Sequence, residues 1–350
     1  MITVQDRITV QAVTLDSLER LFREDYLPGA AQRGLRLVAT RVSPPVLTAN
    51  APLTYTLLWQ VADVGAWWAM RAQSGVPEIA AFWAAVDALC LSRERTYSTE
   101  DGAASLPGPA DTAADRVSTR GHRQTAQLAL KPEVADNPAA LEAVLLGAAE
   151  TLPGLQASAL GRNFAPEYAA GHLTWDLLYP DAASAAQAGD SATWSAKVLP
   201  ALTQYCTEVH ALELTTIEAG IREPELADGV KRTAFFRLLP GQDTATADRF
   251  ERDLLEMPAQ IEAIRNWRLS RATAAPWNTT DAAPWSYVWE QEFADLDGLL
   301  GPYMAHPHHW AYIDRWFDPE SGAQAIDADL SHAFSPLENS LLAREANLPD

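Results

Sequence analysis

Cysteine is scarce in this chain. Among 350 residues there are two, Cys90 and Cys206, far apart and outside any CxxC spacing. That excludes a disulfide framework and a zinc knuckle, leaving two free thiols in a cytoplasmic protein as the expectation. Basic charge is also short, 26 Lys and Arg against 46 Asp and Glu, for a net charge of −20. A chain this acidic repels phosphate backbones and anionic lipid, so neither nucleic acid nor a membrane surface is an expected partner. No apolar run approaches the roughly 20 residues that span a bilayer. Met1 to Arg7 lacks the basic and then apolar pattern of a secretory leader. GxGxxG, Walker and GxSxG patterns are missing as well, so no cofactor is expected and cofactor-free acid/base chemistry remains.

What is present is enough for several cores. Hydrophobic residues make up 48% of the chain, and its length suits two or three domains. Of its 12 tryptophans, Trp267, Trp277, Trp285, Trp289, Trp310 and Trp316 lie in the last third. That skew marks the last third as different from the rest.

The chain repeats itself. Three segments, near residues 1–100, 118–222 and 228–340, follow the order strand, helix, strand, strand, helix, strand. The third strand of each shows period-2 alternation. Tyr55, Leu57, Trp59 and Val61 alternate with Thr54, Thr56 and Gln60. Leu173, Trp175, Leu177 and Tyr179 alternate with His172, Thr174 and Asp176. Trp285, Tyr287, Trp289 and Phe293 alternate with Ser286, Glu290 and Glu292. This pattern predicts strands with one buried face. After each strand an aspartate, Asp63, Asp181 or Asp295, stands where an N-cap is wanted. The first helices are legible from stripes such as Leu141, Val144, Leu145 and Ala148, or Phe250, Leu254, Met257, Ile261 and Ile264 broken by Pro258. The stretches from Ala103 to Thr112 and around Glu223–Pro224–Glu225 read as linkers.

The fold class is therefore α+β: three tandem ferredoxin-like (βαββαβ) modules, each an antiparallel sheet with both helices on one face. The aromatic face of each sheet is expected to avoid water by packing against a second sheet, so that sheets pair into α/β barrels. With three modules, two can pair within the chain and the third with a second copy, which points to a homodimer.

Module 3 resembles the stress-responsive dimeric α/β-barrel family, and within it the plant polyketide cyclases. The resemblance rests on Gly229-Val230-Lys231, on Pro258-Ala259, on the aromatic third strand ending at Phe293, and on Tyr303-Met-Ala-His306-Pro307-His308-His309. The family pattern there is Tyr-x-x-His-Pro-x-His. Module 2 is similar only through Leu152-Pro-Gly and Gly161-Arg162-Asn163, and module 1 through its element order. The resemblance implies that Tyr303 and His309 form an acid/base pair and that His306 is catalytic or helps hold the helix. The residue types fit those roles, since imidazole exchanges a proton near neutral pH and a phenol can donate to a developing oxyanion. Where the cyclases have histidines on the first and third strands, this chain has Arg232 and Tyr287, so the pocket chemistry is altered. His306, His308 and His309 could together make a metal site but lack a carboxylate at a standard spacing, so no metal is expected.

The expected substrate contacts are Arg232, Phe236, Trp267, Trp277, Trp285, Tyr287, Trp289 and Trp310. Aromatic rows of this kind are most often barrel core, yet barrels that keep a void bind flat ligands. The segment Ala274–Pro284 is too long for a plain hairpin, and reads as a lid carrying Trp277. The resulting expectation is a lyase or cyclase acting on a phenolic small molecule. His309 would remove a proton in an aldol or retro-aldol type of step, releasing for example formaldehyde. A cofactor-free monooxygenase and a non-catalytic barrel that binds a hydrophobic ligand are the alternatives.

Overall fold

The computed structural model describes residues 1–48, 51–100 and 108–348. The linker read from Ala103 lies outside the described residues as far as position 107. Thirteen strands are found among them. The chain divides into two compact units, residues 1–108 with 305–328, and residues 109–304 with 329–350.

The first unit contains module 1. Its strands are β1 (Ile2–Gln11), β2 (Arg36–Ser43), β3 (Pro52–Val61) and β4 (Cys90–Thr99), in an antiparallel sheet of order β2-β3-β1-β4. Alternation sorts the two faces. Ile2, Val4, Ile8 and Val10 of β1 and Tyr55, Leu57, Trp59 and Val61 of β3 join Leu18, Phe22, Trp67 and Trp83 of the helices in one apolar core. Asp63 caps the second helix by accepting from the Ala66 N–H at 2.8 Å. The Leu27-Pro28-Gly29 stretch, read as a stop, lies within a helical turn that runs on to Ala30.

The second unit contains module 2 and module 3 without its residues 305–328, which belong to the first unit. Module 2 has β6 (His122–Leu130), β7 (Ala157–Arg162), β8 (Leu173–Tyr179) and β9 (Cys206–Ile221). Module 3 has β10 (Ala227–Phe236), β11 (Asn266–Ala274), β12 (Tyr287–Phe293) and β13 (Ser331–Asn339). A two-residue strand, β5 (Arg116–Val117), pairs with β9. The two four-stranded sheets join through β9 and β11 into one run, β13-β10-β12-β11-β9-β6-β8-β7. The ends of that run nearly meet: the Phe164 N–H donates to the Phe334 carbonyl at 2.7 Å. A Cβ on Gly161 would stand 2.7 Å from that of Ser335, so glycine lets β7 and β13 approach. Modules 2 and 3 thus pair within the chain as a nearly closed barrel. Asp181 and Asp295 cap their helices as the sequence suggested, each accepting at 2.7 Å.

One expectation is reversed. In every module the aromatic face turns toward that module's own helices, and the polar face lines the barrel or stays open. Helices on one side already cover the apolar face, so it needs no second sheet. Glu290 and Glu292, read as the polar face of a half-buried strand, are fully buried inside the barrel. There three cations, Arg123, Lys231 and Arg268, meet three carboxylates, Asp176, Glu290 and Glu345, through contacts such as Lys231 to Asp176 at 2.7 Å and Arg123 to Glu290 at 2.9 Å. In module 1 the face away from the helices carries Thr3, Gln5, Arg7, Thr9, Thr54 and Thr56, half-buried or exposed. The apolar surface that motivated a homodimer is not on that face. No described helix is long and apolar enough to cross a membrane.

Candidate active site

Module 3 differs from its neighbours in the layer between sheet and helices. Module 2 fills that layer with carbon: Trp175 stacks on Trp194 at 6.1 Å, and Leu128, Leu145, Leu173 and Val198 close around them. In module 3 the same layer holds Arg232. Strand alternation puts Arg232 of β10, Gln291 of β12 and Phe334 of β13 side by side on the helix-facing side, with Ala234, Trp289 and His332 in the next row. Arg232 is 4% exposed. Its guanidinium donates to Gln291 Oε1 at 2.8 Å, sits 3.0 Å from His332 Nε2, and lies 5.7 Å from the centre of the Tyr303 ring.

No carboxylate comes within ion-pair distance of Arg232 among the described residues. Burial lowers its pKa, and only Tyr303 pulls the other way. A guanidinium stays protonated even so, and a buried unpaired charge is costly. Arg232 faces Tyr303, whose ring packs edge-on against Phe293 at 5.3 Å. Burial raises the pKa of this phenol, Arg232 and Gln291 hold it back, and it remains a neutral O–H donor at neutral pH. The Trp289 indole Nε1 is buried on the same face without a partner among the described residues. Phe236, Phe250 and His332 provide aromatic walls. His332 and Phe334 of β13 are half-buried. A cation without a carboxylate, a neutral phenol and an indole N–H without an acceptor, all among the described residues, lie between aromatic rings in a way suited to a flat molecule carrying an oxyanion.

The unit boundary falls between Met304 and Ala305, inside the Tyr-x-x-His-Pro-x-His motif. Tyr303 packs in the second unit with Arg232 and Phe293. His306 and His309 belong to the first, where burial lowers the His306 pKa and His309 lies 5.0 Å from Trp68. Trp310, expected at the module 3 substrate site, sits in the core of module 1, 5.5 Å from Trp67, because its apolar ring is taken up by that core. Trp277 is no lid over module 3. It enters the core of module 2 against Trp175 and Trp194 and donates to Gln124 Oε1 at 3.1 Å. Its loop is pinned along β9, with the Ala275 N–H on the Ala211 carbonyl and the Thr279 N–H on that of Val209. Trp285 precedes β12 and turns into the barrel with Leu212, Leu214, Phe235 and Val288, under the Arg237 guanidinium. Tyr287 faces the helices but donates to Glu251 at 2.9 Å, tying helix to sheet. Trp267 lies across Gly220, where a Cβ would meet its ring at 2.0 Å. No group of three His, Cys, Asp or Glu able to hold a metal occurs among the described residues.

Gln291 and His332 went unrecognised in the sequence. The signal was available for Gln291, a polar residue in the aromatic phase of its strand, two positions before Phe293. His332 gave no such signal.

Residues 230–329 match the Stress responsive A/B Barrel Domain. The match covers module 3 and no other. No curated protein sequence matches. Among solved structures, an anthrone oxidase-like protein is 11% identical with a TM-score of 0.46, over 63% of this chain and 92% of its own. A candidate monooxygenase from Lactobacillus acidophilus NCFM is also 11% identical, with a TM-score of 0.39, over 63% of this chain and 93% of its own. A NIPSNAP domain protein from Burkholderia xenovorans is 18% identical over 31% of this chain and 99% of its own, with a TM-score of 0.24. Likenesses this distant carry no argument about chemistry.

Proposed function

We propose that module 3 is an enzyme that oxidises a hydroxyaromatic small molecule with dioxygen, without a cofactor, by holding the substrate as its anion. The supporting observation is Arg232, a buried cation with no carboxylate partner among the described residues, beside a neutral phenol and aromatic walls. The substrate gives a proton to solvent and binds as a phenolate or enolate against Arg232. An anion stabilised in this way is electron-rich enough to pass one electron to dioxygen. The radical and superoxide then combine at the activated ring carbon. Tyr303 donates its proton to the resulting peroxide. The Tyr303 phenolate left behind takes the remaining C–H proton, which breaks the O–O bond, leaves a carbonyl and expels hydroxide that the proton first given to solvent turns into water. The sum is CH2 plus O2 giving C=O plus H2O, so no outside reductant is needed.

A carbon–carbon lyase would use the same buried cation to hold an enolate. An oxygen electrode with a panel of hydroxyaromatics separates the two. Uptake of one O2 per substrate, lost in Arg232→Met, supports oxidation. Turnover with aldehyde release and no oxygen uptake refutes it.

A further inference from the structure

Module 1 has lost the Tyr/His motif, yet the layer between its sheet and helices is lined with donors. Tyr26 and Trp83 come from its helices, Arg33 from the turn after the first helix, and Arg95 from β4. All four converge on one carboxylate, Glu320, which belongs to segment 305–328. Trp83 Nε1 donates at 3.0 Å, Arg95 NH1 lies 3.0 Å away, and Tyr26 and Arg33 also donate to it. Within residues 1–100 this site has two guanidiniums and one acid, Asp6, held by Arg95 at 2.6 Å and by Trp59 at 2.7 Å. The inserted carboxylate completes the charge balance.

The segment lies on module 1 as a bound peptide would. The Arg95 N–H donates to the Ser321 carbonyl at 3.0 Å, while the Arg93 guanidinium donates to the carbonyls of Glu320 at 2.8 Å and Pro319 at 3.0 Å. Gly322 then turns the chain away with φ +76°, and a Cβ there would meet the Arg93 carbonyl at 2.6 Å. Main-chain pairing to a strand edge with one anchored side chain is how extended peptides are recognised. Two more acids of the segment meet module 1, Asp314 at Arg71 and Asp318 at the Tyr97 hydroxyl, 3.3 Å away.

We infer that module 1 is a carboxylate-binding domain whose site is filled in cis by Glu320 and accepts a free short-chain carboxylate when that side chain is removed. Its task in the chain is to hold the segment that carries His306, His308 and His309, which explains a third module with no motif of its own. This inference does not depend on the oxidation proposed for module 3.

Full-length Glu320→Ala tests it, because the deleted group has the shape of acetate. The melting temperature should fall by roughly 5–15 °C, and amide exchange should quicken across residues 314–322. Acetate at tens of millimolar should recover at least about 2 °C, where sodium chloride of equal ionic strength recovers none and the wild type gains nothing. If the variant does not fold, refolding yield with and without acetate is the readout. A variant that acetate rescues no better than chloride overturns the inference. Glu320→Gln keeps the shape without the charge, so it should be destabilised and insensitive to acetate. A Gln variant as stable as wild type would overturn the inference equally.

Discussion

Modules 1 and 3 share one topology and use the layer between sheet and helices in opposite ways. In module 1 every buried cation there has an acid: Arg33 and Arg95 with Glu320 and Asp6, Arg71 with Asp314 and Asp318. Burial pushes the Glu320 carboxyl up, but Arg95 and Arg33 more than offset it and hold it below the ordinary range. In module 3 the buried Arg232 of that layer has Gln291, His332 and the Tyr303 ring beside it and, among the described residues, no carboxylate within ion-pair distance. A balanced cluster needs nothing further, whereas an unbalanced one gains stability from any anion that reaches it. Buried arginine is thus not by itself a sign of a site; what matters is whether an acid balances it.

The comparison is broken most severely by emptying one side of the module 1 pairings. Arg95→Met strands Asp6 and Glu320 and should cost about 3–5 kcal/mol in thermal or urea unfolding. A loss below about 1 kcal/mol would mean that the cluster is not load-sharing. In module 3 the same replacement should behave in reverse. Arg232→Met should leave the melting temperature unchanged or raised, while kcat/KM toward a hydroxyaromatic falls about 10²-fold or more. Equal damage to stability and turnover would show that Arg232 is structural. Tyr303→Phe keeps the ring against Phe293 and removes one donor, so about a tenfold loss in kcat at unchanged stability is expected, measured by oxygen uptake.

The smallest effect sharpens the picture of module 1. Burial raises the Asp314 carboxyl to about 6, with Arg71 opposing and Asp318 adding to the rise. Between pH 4 and 6 the folded chain therefore keeps a proton that the unfolded chain has lost. Stability on this account falls as pH rises through that window, with a slope of at most about 1.4 kcal/mol per pH unit. Melting temperatures from pH 4 to 7 should show a shallower decline in Asp314→Asn than in wild type. Parallel curves would remove Asp314 as the titrating group.

The alternation of Tyr55, Leu57, Trp59 and Val61, and its two counterparts, was enough to place three third strands. The three aspartates after them were enough to place the helix caps, and the order of elements gave the ferredoxin-like topology. These features are local, written in periods of two and 3.6 and in single capping side chains. Which side of each sheet the helices cover is not local. Glu290 and Glu292 read as solvent-facing because alternation separates two faces without saying what lies beyond either. The neighbours of Trp277, Trp310 and Glu320 come from contacts across 102, 243 and 294 positions respectively, with Trp175, Trp67 and Tyr26. Three modules, and Arg232 and Tyr303 within the third, were therefore legible from local pattern. That Arg95 has two acids and Arg232 none among the described residues follows from folding alone, since charge balance in a buried layer depends on which distant segment folds into it.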